Sequence, residues 1–432
     1  MFKVLANAWK VTDIRKKLLY VLLVLLIYRI GTHVPLPGID AAALAQYRHG
    51  GSQGAMSLFS MIAGGGYGSI FAMGIAPYIT SSIIMQLLTV AIPKLEQIQK
   101  EGEEGRKRIN QYSRVLAVAL SFLQGAGTVW GYYHVAASGG GSVSLFSHAT
   151  WLTGITATFT MVAGTIFIMW LGELLTGKGI GNGSSFIIFA NILSNLPAGA
   201  ANLWLMITSG NIVTGFLIVL AIVVLLIVLI GFVIFVQGGE RRIPVQYSRK
   251  MVGRQMYGNT PTQFIPIKVN IAGVMSIIFA ISLIQFPQTI AQFIQNNTIL
   301  NAVVAALKLT NPIGIVLYVI LIFMFTFFYT SFSINTPEMA ENMKKNGGFI
   351  PGIRPGKPTA EYVQKTVDRL SWIGAVFYAL IALAPIAFSV FSGNTSLSFG
   401  GTTLLILTGV CLEFIKQLES QLLMRHYKGF LG

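Results

Sequence analysis

The chain has 432 residues, 54% of them hydrophobic and only 10% charged, which excludes an ordinary soluble globular domain. Its net charge of +16 points to an anionic surface, to nucleic acid, or to an asymmetric placement of cations about a membrane. A single cysteine, Cys411, excludes an intrachain disulfide and a cysteine metal cluster, and the histidines show no ligand spacing, so neither a metal nor a cofactor is expected.

Taken in order, the chain is a series of apolar runs of membrane length. The first, 18–33, follows a basic segment with Lys3, Lys10, Arg15, Lys16 and Lys17 and stops at the turn PLPG (35–38). It has no small-residue cleavage site before it, so it is expected to stay as a span and not to be removed as a signal. Next comes SLFSMIAGGGYGS (57–69), apolar but shorter than the roughly 20 residues a crossing needs, and interrupted by Gly64, Gly65 and Gly66. The run GIAPYITSSIIMQLLTVAIP (74–93) follows it directly. Two readings stay open for this pair. One is a kinked helix or amphipathic surface segment; the other is a half-helix, hinge and full helix lining a path through the protein, where irregular backbone is tolerated at membrane depth.

Further spans are predicted at 115–134, 151–176, 184–207, 212–237, 269–292, 312–334, 370–391 and 401–423, which makes ten with the broken segment counted with its partner. An even number returns both termini to one side, and the cations test that. Among Lys and Arg, only Arg48 and Lys308 fall in far-side loops and Arg29 near the outer end of a span; all others lie toward the N-terminal side. That asymmetry predicts cytoplasmic termini and accounts for most of the net charge without nucleic acid. The chain divides into 1–210, with spans 1–5, and 211–432, with spans 6–10; odd helix counts permit an inverted repeat, although no residue-level repeat is visible.

Two inner loops, 237–268 and 335–369, are longer than the topology needs and mix cations with Gly and Pro. They read as ordered protrusions built for a partner, against the plainer reading of solvated connectors. Arg354, between Gly352 and Pro355, is the expected anchor, because a guanidinium suits a fixed bidentate or stacked contact.

Within the spans, chemistry is sparse. Arg29 and Glu173 can snorkel to an interface and Glu413 can pair with Lys416. There is no phosphate loop, no HExxH and no nucleophile elbow, so no enzymatic activity and no energy coupling of its own is expected. What remains is aliphatic: Ile75 and Ile79 share a face at the start of the second span, Ile187 and Ile188 lie early in the fifth with Ser184 one turn before, and Ile278 and Ile406 lie in the seventh and tenth. Isoleucines in membrane helices ordinarily face lipid or core, and spacing alone does not gather these into a ring.

Several strings together carry a resemblance: RIGTHVPLPGID (29–40), FAMGIAPYITSSIIMQLLTV (71–90), KEGEEGRKRINQYSR (100–114), MWLGE with GKGIGNGSS (169–185), RRIPVQYSRK (241–250), PIKVNIAGVM (266–275) and FIPGIRPGKPT (349–359). From first span to last, the chain resembles the bacterial SecY family, the central subunits of the Sec protein-conducting channel. The resemblance implies an all-α polytopic membrane fold in which two inverted five-helix halves form an hourglass hinged between spans 5 and 6. It makes 57–69 a plug, with Ser57, Leu58, Phe59, Met61, Ile62, Gly64, Gly65, Gly66 and Tyr67 as its residues. The pore ring would fall on Ile75, Ile79, Ile188, Ile278 and Ile406, with Ser184 where relatives commonly carry isoleucine and Ile187 on the adjoining face.

The same resemblance implies a lateral gate between spans 2/3 and 7/8. Thr80, Ser81, Ser82, Gln86 and Gln124 are candidates to line it, and back-bonded packing is the equally open reading for the hydroxyls. It also implies that the inner loops dock a ribosome or the SecA motor ATPase through Arg241, Arg242, Arg249, Lys250, Arg254, Arg354 and Lys357. SecE and SecG-type small subunits, signal-bearing polypeptides and membrane lipids complete the implied partners. The alternatives are a secondary transporter of a small solute, for which Glu413 is the one well-placed carboxylate, and a membrane-embedded enzyme, for which no paired acid and base exists.

Overall fold

Every one of the ten predicted runs falls on a helix in the computed structural model, which describes residues 8–40, 68–133, 135–136, 142–143, 146–147, 150–208, 212–247, 263–291, 298–307, 309, 311–392 and 401–428. In chain order the helices of the first part are α1 (Thr12–Gly31), α2 (Ala76–Ala91), α3 (Pro93–Lys100), α4 (Glu103–Tyr133), α5 (Trp151–Lys178) and α6 (Gly183–Thr208). A two-stranded ladder, β1 (Val135–Ala136) with β2 (Ser142–Val143), lies between α4 and α5. The second part has α7 (Ile212–Gly238), β3 (Glu240–Tyr247), β4 (Gln263–Lys268), α8 (Met275–Ala291), α9 (Thr298–Ala306), α10 (Pro312–Ser333), α11 (Thr336–Lys345), β5 (Gly348–Phe349), α12 (Lys357–Ser392) and α13 (Gly401–Lys428). Among the described residues, four helical segments are long and apolar enough to cross a membrane alone, and a bent pair makes a fifth.

That pair is α2 with α3, which meet at 102°. The second span is shorter than its apolar run: α2 starts at Ala76, because Gly74 turns with φ +55° and Ile75 is its N-cap. With 16 residues it is about 24 Å long, less than a bilayer core. The run 93–114, charged enough to read as a loop, is largely helical: Pro93 suits a first-turn position in α3, and Glu103 and Glu104 favour the N-terminus of α4. Similarly, α12 begins at Lys357, well before the apolar run that predicted it.

The helices pack as two neighbourhoods. One runs α2 along α4, α4 along α5 and α5 along α6; the other runs α8 along α10 and α10 along α12. Contacts between them come from α6 with α7 and α13, and from α8 with α2 and α4.

The two long inner loops come together as one small unit. Strands β4-β3-β5 form an antiparallel sheet with Ile243 opposite Ile265 and Arg241 opposite Ile267. Alternation along β3 buries Ile243 and Val245 and leaves Arg242 and Pro244 outside, as a pleat requires. These side chains pack with Ile267, Met343, Ile350, Val363 and Val367, so the unit has an apolar core of its own. At its rim α11 starts at Asn335, whose side chain accepts the Glu338 N–H at 3.3 Å.

Candidate functional site

The isoleucines scattered through the sequence meet in one place. Ile75, Ile187, Ile188, Ile278 and Ile406 are all buried in a single apolar cluster, and Ile79 packs against it. The cluster draws on α1, α5 and α6 from the first part and α8 and α13 from the second, with Ile75 supplied by the turn that enters α2. Its side chains are aliphatic or aromatic, so contact there is non-directional.

Gly172 of α5 is the seat of that cluster. A Cβ placed there would lie 3.4 Å from Ile187 Cδ1, 3.6 Å from Ile75 Cδ1 and 3.7 Å from Ser184 Oγ. Ser184 is half-buried in the first turn of α6 and its N–H donates to Asn182 Oδ1 at 3.0 Å, so it borders the isoleucines through Gly172. Sequence reasoning did not single out Gly172, nor Val274 and Met275, which pack against the cluster from the start of α8. The signal was available in the strings MWLGE and AGVM, where a small residue sits beside bulky ones.

Below the cluster, α2 carries polar side chains on more than one face. Thr80 Oγ1 donates to the Ala76 carbonyl at 3.0 Å and Ser81 Oγ to the Tyr78 carbonyl at 2.8 Å, which is the back-bonded packing role. Ser82 hydrogen-bonds Tyr78 one turn back. Gln86 Oε1 is buried, and among the described residues no donor reaches it. On α4, half-buried Gln124 lends its carbonyl to Thr128 Oγ1 at 2.8 Å. The meeting of α2 with α8 itself is apolar: Ile83 is buried in one cluster with Ile277, Ala280 and Ile284, and Ile79 and Leu87 pack against it.

The segment 57–67 lies outside the described residues, as do Arg249, Lys250 and Arg254. Where description resumes, the chain is stitched down. Gly68, at φ +70°, donates its N–H to Tyr132 Oη at 3.3 Å, its carbonyl accepts Leu36 N–H at 2.8 Å, and Ser69 bridges Pro35.

The described cations of the inner unit are exposed. Arg242 pairs with Glu240 on the same face of β3, Nη2 to Oε1 at 2.7 Å. Arg241 is exposed near the start of that strand and Lys357 at the start of α12. Exposed Arg354 lies in a turn between Gly352 (φ +81°) and Gly356 (φ +105°), and its carbonyl accepts Thr359 Oγ1 at 2.9 Å. The two left-handed glycines allow a tight turn that presents the guanidinium outward.

Three ionisable residues of the spans also have partners. Arg29 Nη1 reaches Thr32 Oγ1 at 3.4 Å, and Glu413 accepts from Gln417 at 3.4 Å. Glu173 of α5 pairs with Arg114 of α4, Oε1 to Nε at 2.6 Å. Among the described residues no cluster of His, Cys, Asp or Glu could hold a metal ion.

Comparison with known proteins agrees in kind. A family model described as SecY matches residues 69–415. The protein translocase subunit SecY of Streptomyces galbus is 44% identical over 440 residues, covering all of both chains. That of Bacillus subtilis (strain 168) is 40% identical over 442 residues, again covering all of both. Among solved structures, a protein-conducting channel superposes with a TM-score of 0.65 at 19% identity, covering 93% of this chain and 91% of that one. Sec61 in a canine ribosome-channel complex gives 0.62 at 18% identity, covering 93% and 91%.

Proposed function

The chain belongs to the SecY family, and from that premise we propose that it is the channel subunit of a protein translocase in the bacterial cytoplasmic membrane. It passes unfolded secretory polypeptides across and releases apolar segments sideways into lipid. The observation that carries this reading is the single cluster to which both parts of the chain contribute isoleucine. An aliphatic constriction closes by dewetting, which stops ions without binding them. The same side chains part for an extended polypeptide and close around it, and their lack of direction suits passengers of many sequences.

In this reading the halves are 1–210 and 211–432, and 57–69 is the plug. Ile75, Ile79, Ile188, Ile278 and Ile406 form the ring, with Ser184 and Ile187 at its edge on α6. The lateral gate lies where α2 and α4 meet α8. The exposed cations of the inner unit, with Arg354 foremost, dock the ribosome or the SecA motor; ribosomal RNA is a phosphate surface that basic side chains meet without reading sequence. SecE and SecG-type subunits complete the complex, and the energy comes from the motor, the ribosome or the proton-motive force. The asymmetry of Lys and Arg supports cytoplasmic termini. A small-solute transporter finds no such support: among the described residues the hydrogen bond of Glu413 is with Gln417, one turn along its own helix.

Disulfide trapping tests the reading. With Cys411 changed to Ser and Ile278 to Cys, a stalled secretory polypeptide carrying one cysteine is oxidised after the motor ATPase is added. A crosslink that needs ATP and a signal sequence is expected. Its absence, with both components correctly inserted, would send the passenger elsewhere.

A further inference from the structure

The Arg114–Glu173 pair has a geometry that the channel reading leaves unused. Other ion pairs close locally: Lys100 with Glu96, Lys345 with Glu341 and Arg242 with Glu240 within one element, and Arg108 with Glu101 across a turn. Arg114–Glu173 instead joins two long helices, α4 and α5, at 2.6 Å, the short end for a charge-assisted bond. Glu173 directly follows Gly172, the seat of Ile75 and Ile187. Tyr78, on the first turn of α2, packs against the isoleucine cluster and hydrogen-bonds Ser82.

A role in stability alone is a poor account of this pair. Its side chains are 47% and 31% exposed, and pairs so well solvated contribute about 0–1 kcal/mol. Position offers the better account. The pair fastens α4, and α4 packs against both α2 and α8. The same helix therefore touches the clamp, the entry to the ring and the gate.

We propose that Arg114 and Glu173 are positioning residues of the closed channel: their ion pair clamps α4 to α5 beside Gly172 and so holds in place the turn at Ile75, which packs over Gly172 at the entry to α2, where the isoleucines seal. Losing the pair frees α4 and lets the seal open without a passenger. The proposal rests on the channel reading, so the test reads leak and passage separately.

The experiment uses membrane vesicles containing the full complex, with ion leak and motor-driven import of a signal-bearing precursor normalised to complex abundance. Glu173→Gln and Arg114→Gln are each expected to raise resting leak severalfold, up to about fivefold, the shift that about 1 kcal/mol produces, while import continues. The exchange of Arg114→Glu with Glu173→Arg is expected to restore the seal. Unchanged leak in the single variants, or an exchange as leaky as they are, overturns the proposal. So does a fall in abundance with unchanged leak per complex, which a purely structural pair would give. Should the glutamine variants not assemble, Arg114→Lys keeps the charge but not the Nε geometry; an intermediate leak supports the clamp and a wild-type leak overturns it. A wild-type complex that imports precursor past Ile278 while its variants stay tight defeats only this inference. A wild type that imports none defeats the channel reading itself.

Discussion

At the scale of single residues, glycines decide how closely the helices of the first part approach one another beside the isoleucine cluster. Gly172 and Gly183 face one another across α5 and α6, but their tolerances differ. A Cβ at Gly172 finds its nearest atom at 3.4 Å, ordinary contact, whereas a Cβ at Gly183 would meet the Gly172 carbonyl oxygen at 1.9 Å, which is backbone and cannot rotate away. Gly172→Ala is therefore expected to leave thermal stability of the solubilised complex nearly unchanged, and Gly183→Ala to lower it by about 1–3 kcal/mol, the usual cost of overpacking. Equal effects would mean that the approach of α5 and α6 is not set by these residues. The isoleucines call for a functional measurement. Ile188 and Ile278 are buried in the same cluster from α6 and α8, so changing both to Gly removes aliphatic bulk from two sides. A wider and leakier constriction is expected in single-channel recordings, and unchanged conductance would take both residues out of the ring.

Among the elements, the inner unit is the clearest case of a part with its own stability. Val245 and Ile243 are buried in a core closed by α11, β5 and the start of α12, away from the apolar packing of the spans. Val245→Asp places a carboxylate there at a cost of several kcal/mol. The expected outcome is a unit newly open to protease, in a chain whose spans remain inserted. Arg354→Glu acts differently, because its side chain is exposed and the turn is held by the backbone contact to Thr359. It should abolish motor-driven import and leave the protease pattern alone; wild-type import would free Arg354 of any docking role. The helices of the spans were legible because a membrane helix must be apolar over its length. The sheet of the inner unit was not, because only two inward residues of β3 are apolar between Arg241, Arg242 and Pro244, too short an alternation to stand out. The helical parts of 93–114 were hidden by charge, which marks a solvated surface and not a loop.

For the whole molecule, what matters is where the two parts of the chain touch. They meet at α6 with α7 and α13, and again where α8 reaches α2 and α4. On the proposed reading the first contact, which adjoins the short connection between the halves, is the hinge and the second is the side that opens. Six isoleucines gathered in one cluster could not be deduced from spacing, since each alone reads as an ordinary lipid-facing or core residue. The family resemblance gathered them, and the fold supplies the physical reason, which is that α8 and α13 bring Ile278 and Ile406 into the apolar cluster built by α1, α5 and α6. This geometry makes opening a matter of separating apolar surfaces. Ile83 of α2 shares its buried cluster with Ile284 of α8, so a cysteine at each, in a Cys411→Ser background, reports on that separation. Joined by a short bismaleimide, the two helices cannot part, and import of a signal-bearing precursor is expected to stop while the motor still binds. A long, flexible bismaleimide at the same two positions leaves room for a passenger, so import should return. If the short linker leaves import untouched, polypeptides pass without parting α2 from α8, and the hinge must lie elsewhere.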